Sequence, residues 1–239
     1  MPERLQIPVL NSLVVSGLLQ APQEAMACFV CAHGAGAGMD HPFLVKVADG
    51  LCSRRIASLR YQFPYMELGG KRPDRPALAH ATVRAAAEAA GQRLPGLPAF
   101  AGGKSFGGRM TSQAQAEHEL PGIGGILFLG FPLHPAGKPS DARAAHLFEI
   151  RVPMLFVQGT RDALADMSLL APLVERLGEH ATLEAIKHAD HSFHCQARTG
   201  RTDAEVMDEV LDTIAAWVRR VLHRPIASPN GRFTLAKQR

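Results

Sequence analysis

The segment PAFAGGKSFGGRM, residues 98–110, decides the fold. Its first half is a short apolar run typical of a buried strand, and its second half starts a helical pattern. Between the two halves, Gly103-Lys104-Ser105-Phe106-Gly107 has the spacing G-x-S-x-G. On a sharp turn from a strand to a helix, this spacing lifts a serine above the edge of the sheet, and the glycines avoid clashes with neighbouring backbone. The segment therefore predicts a nucleophile, Ser105, and an oxyanion donor, the amide of Phe106.

Spacing excludes two phosphate-binding motifs. The pair Lys104-Ser105 would complete a P-loop only with a glycine at position 98, where the chain has proline. The glycine run after His33 would match a dinucleotide fingerprint only with a small residue where the chain has Met39 or His41. We therefore expect no organic cofactor.

A serine nucleophile requires a general base, and the base requires an acid that orients it. For a serine in this motif, the expected order along the chain is serine, acid, histidine. The buried run PMLFVQ, residues 153–158, is followed by Gly-Thr-Arg and then Asp162. Asp162 therefore lies just past the end of a predicted strand, at the same sheet edge as Ser105. It is the predicted acid, and Asp166, inside the next predicted helix, is the alternative.

Three histidines compete for the role of the base in HADHSFH, residues 188–194. His191 is preferred to His188 and His194 because it lies on a short loop before the last predicted helix, with Phe193 available to pack beneath it. The spacing of three residues between these histidines also matches metal ligands. No cluster of carboxylates supports that alternative, so we expect no metal.

The second oxyanion donor is expected in the loop HGAGAG, residues 33–38, which follows an earlier strand. Small residues there let backbone amides approach a substrate closely. The amide of Ala35 is the predicted donor, with that of Gly34 or Gly36 as the neighbouring alternative, and both glycines are predicted to contact substrate. A loop that is merely flexible is the alternative.

Cationic side chains accompany the predicted site and would favour substrates that carry a carboxylate. They are Lys104, Arg109, His134 and Lys138. These charges could instead be solvated or structural, and Lys104 could pair with Glu67. The loop 62–75 follows a strand at the same edge, so Tyr61, Phe63 and Tyr65 could form an apolar wall or simply anchor the loop. We predict that Lys104, Tyr61 and Phe63 contact the substrate.

Short apolar runs alternate with longer helical patterns along the chain. Strands are predicted at 12–19, 26–32, 56–61, 98–102, 123–130, 153–158 and 181–186, and helices at 42–54, 76–92, 107–118, 141–149, 163–177 and 202–222. This alternation predicts an α/β fold with a mostly parallel central sheet and helices on both faces. The first two predicted strands have no helix between them, so the sheet should open with an antiparallel hairpin.

The chain leaves no room for a large cap domain over the site. About 22 residues separate the strand that ends near Gly130 from the strand that starts at Pro153. Lipases and many esterases insert a helical cap at this point. We therefore expect an open site suited to small or accessible esters.

Composition and charge are those of a globular chain, with 46% hydrophobic and 20% charged residues among 239. At this length we expect one domain, spanning 1–222. Six basic and no acidic residues follow Asp212, so the net charge of +4 belongs mostly to a basic tail, which we predict at 223–239 and expect to be flexible. The other 20 basic and 22 acidic residues indicate no basic face for nucleic acid.

The four cysteines, Cys28, Cys31, Cys52 and Cys195, form no recognisable framework. The spacing of Cys28 and Cys31 resembles half a zinc site, but on a strand these sulfurs would point to opposite faces. Free thiols suit a reducing compartment, so we expect the cytoplasm. The run LVVSGLL is too short to span a bilayer, and we expect no membrane partner. No residue argues for a particular oligomeric state.

Taken together, the motifs resemble the α/β-hydrolase superfamily, close to its small dienelactone-hydrolase-like members. The matching stretches, between residues 32 and 193, are AHGAGAGMDHPFL, FPYMELGGKRPDRP, FAGGKSFGGRM, LGFPLHPAGKP, PMLFVQGTRD and ADHSF. More narrowly, the chain resembles the group that includes testis-expressed hydrolase-like proteins and a subunit of the NSL acetyltransferase complex. The resemblance implies that Ser105, Asp162 and His191 form a catalytic triad.

With such a triad we expect a serine hydrolase that acts on a small-molecule ester, thioester or lactone. The alternative is a non-catalytic hydrolase-like scaffold or interaction protein. One branch of the group just described works as an assembly subunit, and the basic tail would suit a binding role.

Overall fold

Apolar runs without alternation form the middle of an eight-stranded sheet. In the computed structural model, which describes residues 1–10 and 13–223, the strands are β1 (Glu3–Leu10), β2 (Leu13–Gln20), β3 (Ala27–Ala32), β4 (Ile56–Tyr61), β5 (Ala99–Lys104), β6 (Ile123–Leu129), β7 (Met154–Gly159) and β8 (Ala181–Ile186). Their order across the sheet is β1-β2-β4-β3-β5-β6-β7-β8, and the pairs from β4 to β8 are parallel. Every residue of β3, β4 and β7 is buried, as expected for strands covered on both faces.

The antiparallel part of the sheet differs from the prediction. The hairpin joins β1 and β2, and β2 then pairs with β4 and not with β3. The sequence pattern did not predict β1, because only Leu5 and Ile7 are buried among exposed polar neighbours. Such a one-sided pattern is typical of an edge strand.

Helices cover both faces of the sheet. They are α1 (Pro42–Ser53), α2 (Pro64–Glu67), α3 (Pro76–Arg93), α4 (Phe106–Glu117), α5 (Met167–Leu177) and α6 (Asp203–Leu222). The apolar sides of α1 and α6, including Trp217 of α6, form one hydrophobic core against the sheet. The helices α3, α4 and α5 contribute to the second core. This confirms the predicted fold class. The short α2 was not predicted, and α5 starts later than expected because Asp166 caps it instead of lying inside it.

The connection between β6 and β7 contains no cap domain. Residues 130–153 form loops and one 3₁₀ helix, Ala142–Glu149, which contacts α4. The carboxyl ends of β3, β5, β6, β7 and β8 therefore meet at an edge that this connection leaves open. Within the described residues, no helix has the length and apolar character needed to cross a membrane. The predicted tail at 223–239 lies outside the described residues, apart from His223.

Candidate active site

Ser105 occupies a strained turn between β5 and α4. Its backbone has φ 50° and ψ −112°, a conformation rare for a residue with a side chain. The turn is held in part by the Ser105 amide, which donates to the carbonyl of Leu129 at the end of β6 (3.2 Å). The predicted strand–turn–helix context of the G-x-S-x-G segment is present in the structure.

The glycines that flank the serine fit where larger residues would not. A Cβ on Gly103 would lie 2.1 Å from the carbonyl oxygen of Ala32. A Cβ on Gly107 would lie 2.6 Å from the carbonyl oxygens of both Ala32 and His33. Both contacts involve backbone of the neighbouring strand and its loop, which cannot move away as a side chain could. The motif therefore packs the turn tightly against the end of β3.

Asp162 and His191 form a hydrogen-bonded pair at the same edge of the sheet. Asp162 follows β7 and is buried, and His191 lies on the loop after β8. Nδ1 of His191 lies 2.6 Å from Oδ2 of Asp162, and Oδ1 accepts from the amide of Leu164 (2.8 Å). An ionised carboxylate only accepts hydrogen bonds, so Nδ1 carries the proton and Nε2 is left as the acceptor.

Gln158 donates to the same carboxylate oxygen that His191 contacts. Its Nε2 donates to Oδ2 of Asp162 (2.5 Å), and its Oε1 accepts from the amide of Phe131 (2.8 Å). The side chain is fully buried on β7. Sequence reasoning missed this residue. A polar amide at the end of the apolar run PMLFVQ was the available signal, because buried polar groups require partners.

A cleft of about 280 Å³ brings most of the predicted residues together. It is lined by Gly34, Ala35, Ala37, His41, Phe43, Leu44, Lys104, Ser105, His191 and Ser192. Ser105 and His191 thus face one space, with the loop after β3 opposite them. His41, which also caps α1, and the α1 residues Phe43 and Leu44 were not predicted.

Two amides in the loop after β3 already have partners. The amide of Gly36 donates to the hydroxyl of Tyr65 (2.8 Å), and the amide of Ala37 donates to the carbonyl of Gly34 (3.2 Å). Ala35 lies between them at the cleft. On the other side, the amide of Phe106 begins α4, where helix amides have no partner within the helix. The amides of Ala35 and Phe106 therefore remain the candidates for the predicted oxyanion donors.

His33 is a neutral, buried histidine whose ring connects this loop to Phe63. Its Nδ1 donates to the carbonyl of Gly34 (2.7 Å), and its Nε2 accepts from the amide of Phe63 (3.1 Å). Burial lowers the pKa of His33 to about 4, with the bond to Gly34 opposing the shift. The neutral ring is the form that matches both partners, because protonation would set a second N–H against the amide of Phe63.

Tyr61, Phe63 and Gly36 do not line the cleft, which corrects their predicted contact with substrate. Tyr61 and Phe63 are fully buried, and their rings pack edge to face 5.5 Å apart. Tyr61 is the last residue of the fully buried β4, so its side chain enters the core. Gly36 has its amide bound to Tyr65. These residues anchor the loops around the cleft.

Lys104 contacts the histidine loop and not Glu67. Its Nζ donates to the backbone carbonyl of His191 (2.5 Å), whereas Glu67 accepts from the amide and hydroxyl of Ser16. Burial lowers the pKa of Lys104 to about 8, and the carboxylates of Asp162 and Asp190 oppose that shift.

The remaining cationic candidates lie outside the cleft lining. They are Arg109, His134 and Lys138. His134 accepts from the amide of Asp166 (2.9 Å) and is buried, so it braces a loop. Burial and the neighbouring Arg143 lower the pKa of Arg109. The predicted cationic rim is therefore reduced to Lys104.

The alternative acid, Asp166, and one of the alternative histidines, His194, have other partners. Asp166 caps α5 by accepting from the amide and hydroxyl of Ser168 (both 2.8 Å). His194 pairs with Asp203 on α6 (2.8 Å), and this bond raises the pKa of His194. Among the described residues, no group of three or more His, Cys, Asp or Glu could hold a metal ion.

Comparison with known proteins places this arrangement in context. The alpha/beta hydrolase domain family matches residues 25–219. The fold is similar to a dienelactone hydrolase from Anabaena variabilis, with a TM-score of 0.72 and 19% identity over 92% of this chain and 97% of that one. It is also similar to a lidless serine hydrolase from Xanthomonas campestris, with a TM-score of 0.69 and 18% identity over 90% and 94%. Est1E from Butyrivibrio proteoclasticus matches with a TM-score of 0.69 and 13% identity over 92% and 99%. At these identities, the likeness to solved structures concerns the fold alone.

Proposed function

Because the chain belongs to the alpha/beta hydrolase family, we propose that it is a serine hydrolase that cleaves an ester, thioester or lactone. Ser105 is the nucleophile, His191 the general base and Asp162 the orienting acid. The observation that carries the proposal is the hydrogen bond between His191 and the buried Asp162, with 2.6 Å between Nδ1 and Oδ2. His191 lines the same cleft as Ser105, which lies on a strained turn.

The reaction follows from the atoms that line the cleft. Nε2 of His191 takes the proton of the Ser105 hydroxyl while Oγ attacks the carbonyl carbon. The carbonyl oxygen becomes an oxyanion, and the amides of Ala35 and Phe106 stabilise it. His191 then returns the proton to the departing alcohol or thiol, which leaves an acyl group on Ser105. Water, activated by the same imidazole, releases the acid and restores the serine.

Asp162 contributes through the histidine. Its buried carboxylate keeps the proton on Nδ1, so that Nε2 faces the serine, and it stabilises the imidazolium that forms during each proton transfer. Gln158 and the amide of Leu164 hold the carboxylate in that position.

The size and openness of the cleft support small substrates. A volume of about 280 Å³ lies at the low end for small-molecule sites. The connection between β6 and β7 supplies no cap to bury a long acyl chain. We therefore propose esters, thioesters or lactones with a short acyl part. The dienelactone hydrolase and esterase names of similar structures agree with this class.

The first test is labelling of the purified protein with a fluorophosphonate, read by intact mass and peptide mapping. We expect one adduct, on Ser105, that is lost in Ser105→Ala. Ser192→Ala is the matched control, because Ser192 also lines the cleft, and it should label as the wild type does.

Two outcomes would contradict the proposal. An adduct on Ser192, or one that survives in Ser105→Ala, would remove Ser105 as the nucleophile. Folded wild-type protein that forms no adduct would favour a non-catalytic interaction protein, the role of one branch of the group that the motifs resemble. We retain that narrower grouping, a single domain over 1–222 and a cytoplasmic location as parts of the proposal. The four cysteines, all free, support the location.

A further inference from the structure

Lys104 connects the strand of the serine to the loop of the histidine. It is the last residue of β5 and the neighbour of Ser105 in the chain. Its Nζ nevertheless reaches 87 residues along the sequence and donates to the carbonyl of His191 at 2.5 Å. One side chain therefore joins the backbone next to the proposed nucleophile to the backbone of the proposed base.

The ammonium of Lys104 lies near two aromatic rings, those of Phe43 and Phe193. Nζ is 5.8 Å from the ring centre of Phe43 and 5.6 Å from that of Phe193, within the range of cation–π attraction. The two rings are stacked 5.9 Å apart with an angle of 10° between their planes. Gly130 leaves space for the group, because a Cβ there would lie 3.0 Å from Nζ and 3.4 Å from Nδ1 of His191.

The loop that carries His191 needs such support. His188 and Phe193 both have positive φ, 67° and 61°, which is unfavourable for residues with side chains. Asp190 ties the loop together by accepting from the amides of Ser192 (2.8 Å) and His194 (3.0 Å). These bonds are internal to the loop. The Lys104 bond instead attaches its tip to the central sheet.

We propose that Lys104 is a positioning residue, which fixes His191 relative to Ser105 through the ammonium–carbonyl bond between β5 and the loop 188–194. This inference rests on the proposed function, because it assigns His191 the role of the base. It differs from the expectation that Lys104 binds substrate, because the ammonium donates to the backbone carbonyl of His191.

The positioning should depend on the charge of Lys104. The charged and titratable groups around it are the carboxylates of Asp162 and Asp190 and the imidazoles of His191 and His41, which lines the same cleft. Burial lowers the pKa of Lys104 to about 8 against the pull of those carboxylates. Above that pH the side chain loses its proton, and both the charged hydrogen bond and the cation–π contacts weaken. Labelling of Ser105 should therefore slow in the same range.

The experiment compares Lys104→Met and Lys104→Arg with the wild type by the rate of fluorophosphonate labelling from about pH 6 to about pH 10. Methionine keeps the length and apolar stem without the charge, and arginine keeps the charge at every pH tested. Lys46→Met on the exposed side of α1 is the matched control. We expect Lys104→Met to label about tenfold more slowly at neutral pH, without the fall above about pH 8 that the wild type shows. Lys104→Arg should label faster than Lys104→Met, and its labelling rate should not decrease above about pH 8.

Hydrogen exchange over residues 188–194 provides a readout independent of catalysis. We expect faster exchange in Lys104→Met and wild-type exchange in Lys46→Met, because only the former releases the loop. Steady-state kinetics with p-nitrophenyl acetate and with a carboxylate-bearing ester separate positioning from substrate binding. Positioning lowers kcat for both esters with little change in KM.

Three outcomes would overturn the inference. The first is a Lys104→Met protein with wild-type labelling and pH profile, and the second is unchanged exchange over the loop. The third is a rise in KM confined to the carboxylate-bearing ester, which would make Lys104 a substrate-binding residue. Each of these requires a wild type that labels at Ser105. A wild type that does not label refutes the proposed function itself, and with it the assignment of His191.

Discussion

Ser105 and Ser112 are seven residues apart. Ser105 immediately precedes α4, whereas Ser112 lies in the interior of that helix, and each is near a histidine. Ser105 shares the cleft with His191. Oγ of Ser112 lies 2.8 Å from Nε2 of His146, within hydrogen-bond distance. His146 lines a second pocket of about 430 Å³ with His80 and Glu117. Residue types and proximity therefore do not distinguish the two pairs.

Backbone geometry does distinguish them. Ser105 sits on a turn with positive φ, next to an amide at the start of a helix. Ser112 lies inside α4, where the amides are already bonded within the helix, and it is fully buried. Its hydroxyl lies within hydrogen-bond distance of both the carbonyl of Arg109 (3.0 Å) and Nε2 of His146 (2.8 Å), away from any open cleft. The second pair lacks both an available nucleophile and an oxyanion site.

His191 and His146 also differ in the charged groups around their rings. Asp162 holds Nδ1 of His191, and this orients the ring and would stabilise its charged form. Burial and then the positive charge of Arg109 lower the pKa of His146 to about 4. An imidazole in that environment resists protonation, whereas a general base must accept a proton. The proposed reactive pair, Ser105 and His191, therefore differs from Ser112 and His146 by the acid that orients its histidine and by the strained turn that carries its serine.

Asp162→Asn should remove the feature that distinguishes Ser105 and His191 from Ser112 and His146, the acid that orients the histidine. Asparagine keeps the shape of the side chain but removes the charge and can stabilise the wrong tautomer of His191. We expect kcat/KM to fall by about 10³–10⁴-fold, with labelling of Ser105 reduced in parallel. Circular dichroism would check that the fold persists. Activity within a few-fold of wild type in a folded variant would contradict the assignment of Asp162.

Gln158→Met should loosen the acid without removing it. The variant loses the bond to Oδ2 of Asp162 and leaves the amide of Phe131 without its acceptor. We expect kcat to fall about tenfold with KM changed less than about twofold, because the substrate contacts remain. The unpaired amide should also lower the free energy of unfolding by about 1–3 kcal/mol. An unchanged kcat would show that the amide of Leu164 suffices to hold the carboxylate.

His146→Gln tests whether the second histidine resists protonation. The pKa of His146 is lower in the folded protein than its usual value near 6.5, so the unfolded chain binds more protons between about pH 6.5 and about pH 4. Stability should therefore fall as pH decreases through that window. Between about pH 7 and about pH 5 we expect His146 to account for roughly 1 kcal/mol of the loss, after allowance for its partial exposure. Guanidinium unfolding of both proteins at the two pH values would measure it, and equal pH dependence would show that His146 titrates normally.

Ser112→Ala is expected to have the smallest effect on activity. The substitution removes a buried hydroxyl that is far from the cleft lining, so labelling and kcat/KM should stay within about twofold of wild type. A modest loss of stability would accompany the lost hydrogen bond. Loss of labelling in Ser112→Ala, together with retention in Ser105→Ala, would reverse the comparison.

Prediction from sequence succeeded where the pattern was local. The alternation of strands and helices placed Ser105, Asp162 and His191 at the ends of three parallel strands, and the structure brings them to one edge. The glycines around Ser105 were predicted from the steric needs of the turn, and the close carbonyls of β3 account for them. The edge strand β1 was missed, because an alternating pattern with two buried residues carries little signal.

The side chains around the cleft were predicted less well. Tyr61 and Phe63 were considered for its wall, but both are buried in the core. Tyr61 ends the fully buried β4, and Phe63, which caps α2, packs its ring against that of Tyr61. Lys104 donates to a carbonyl 87 residues away, and Gln158 accepts from an amide 27 residues away, and no local pattern predicts either pairing. Ala35 was distinguished from Gly36 only through the hydroxyl of Tyr65, which occupies the glycine amide.

The division follows from the range of the interactions. Turn sterics, strand burial and helix caps act within a few residues, so G-x-S-x-G and the order of serine, acid and histidine are legible in the chain itself. The contacts of Lys104 with His191, of His33 with Phe63 and of Ser112 with His146 span 87, 30 and 34 residues. Those pairings depend on strand order and register across the sheet. Packing of the whole chain therefore decided which amides of the loop after β3 already have partners and which side chains hold the histidine and its acid in place.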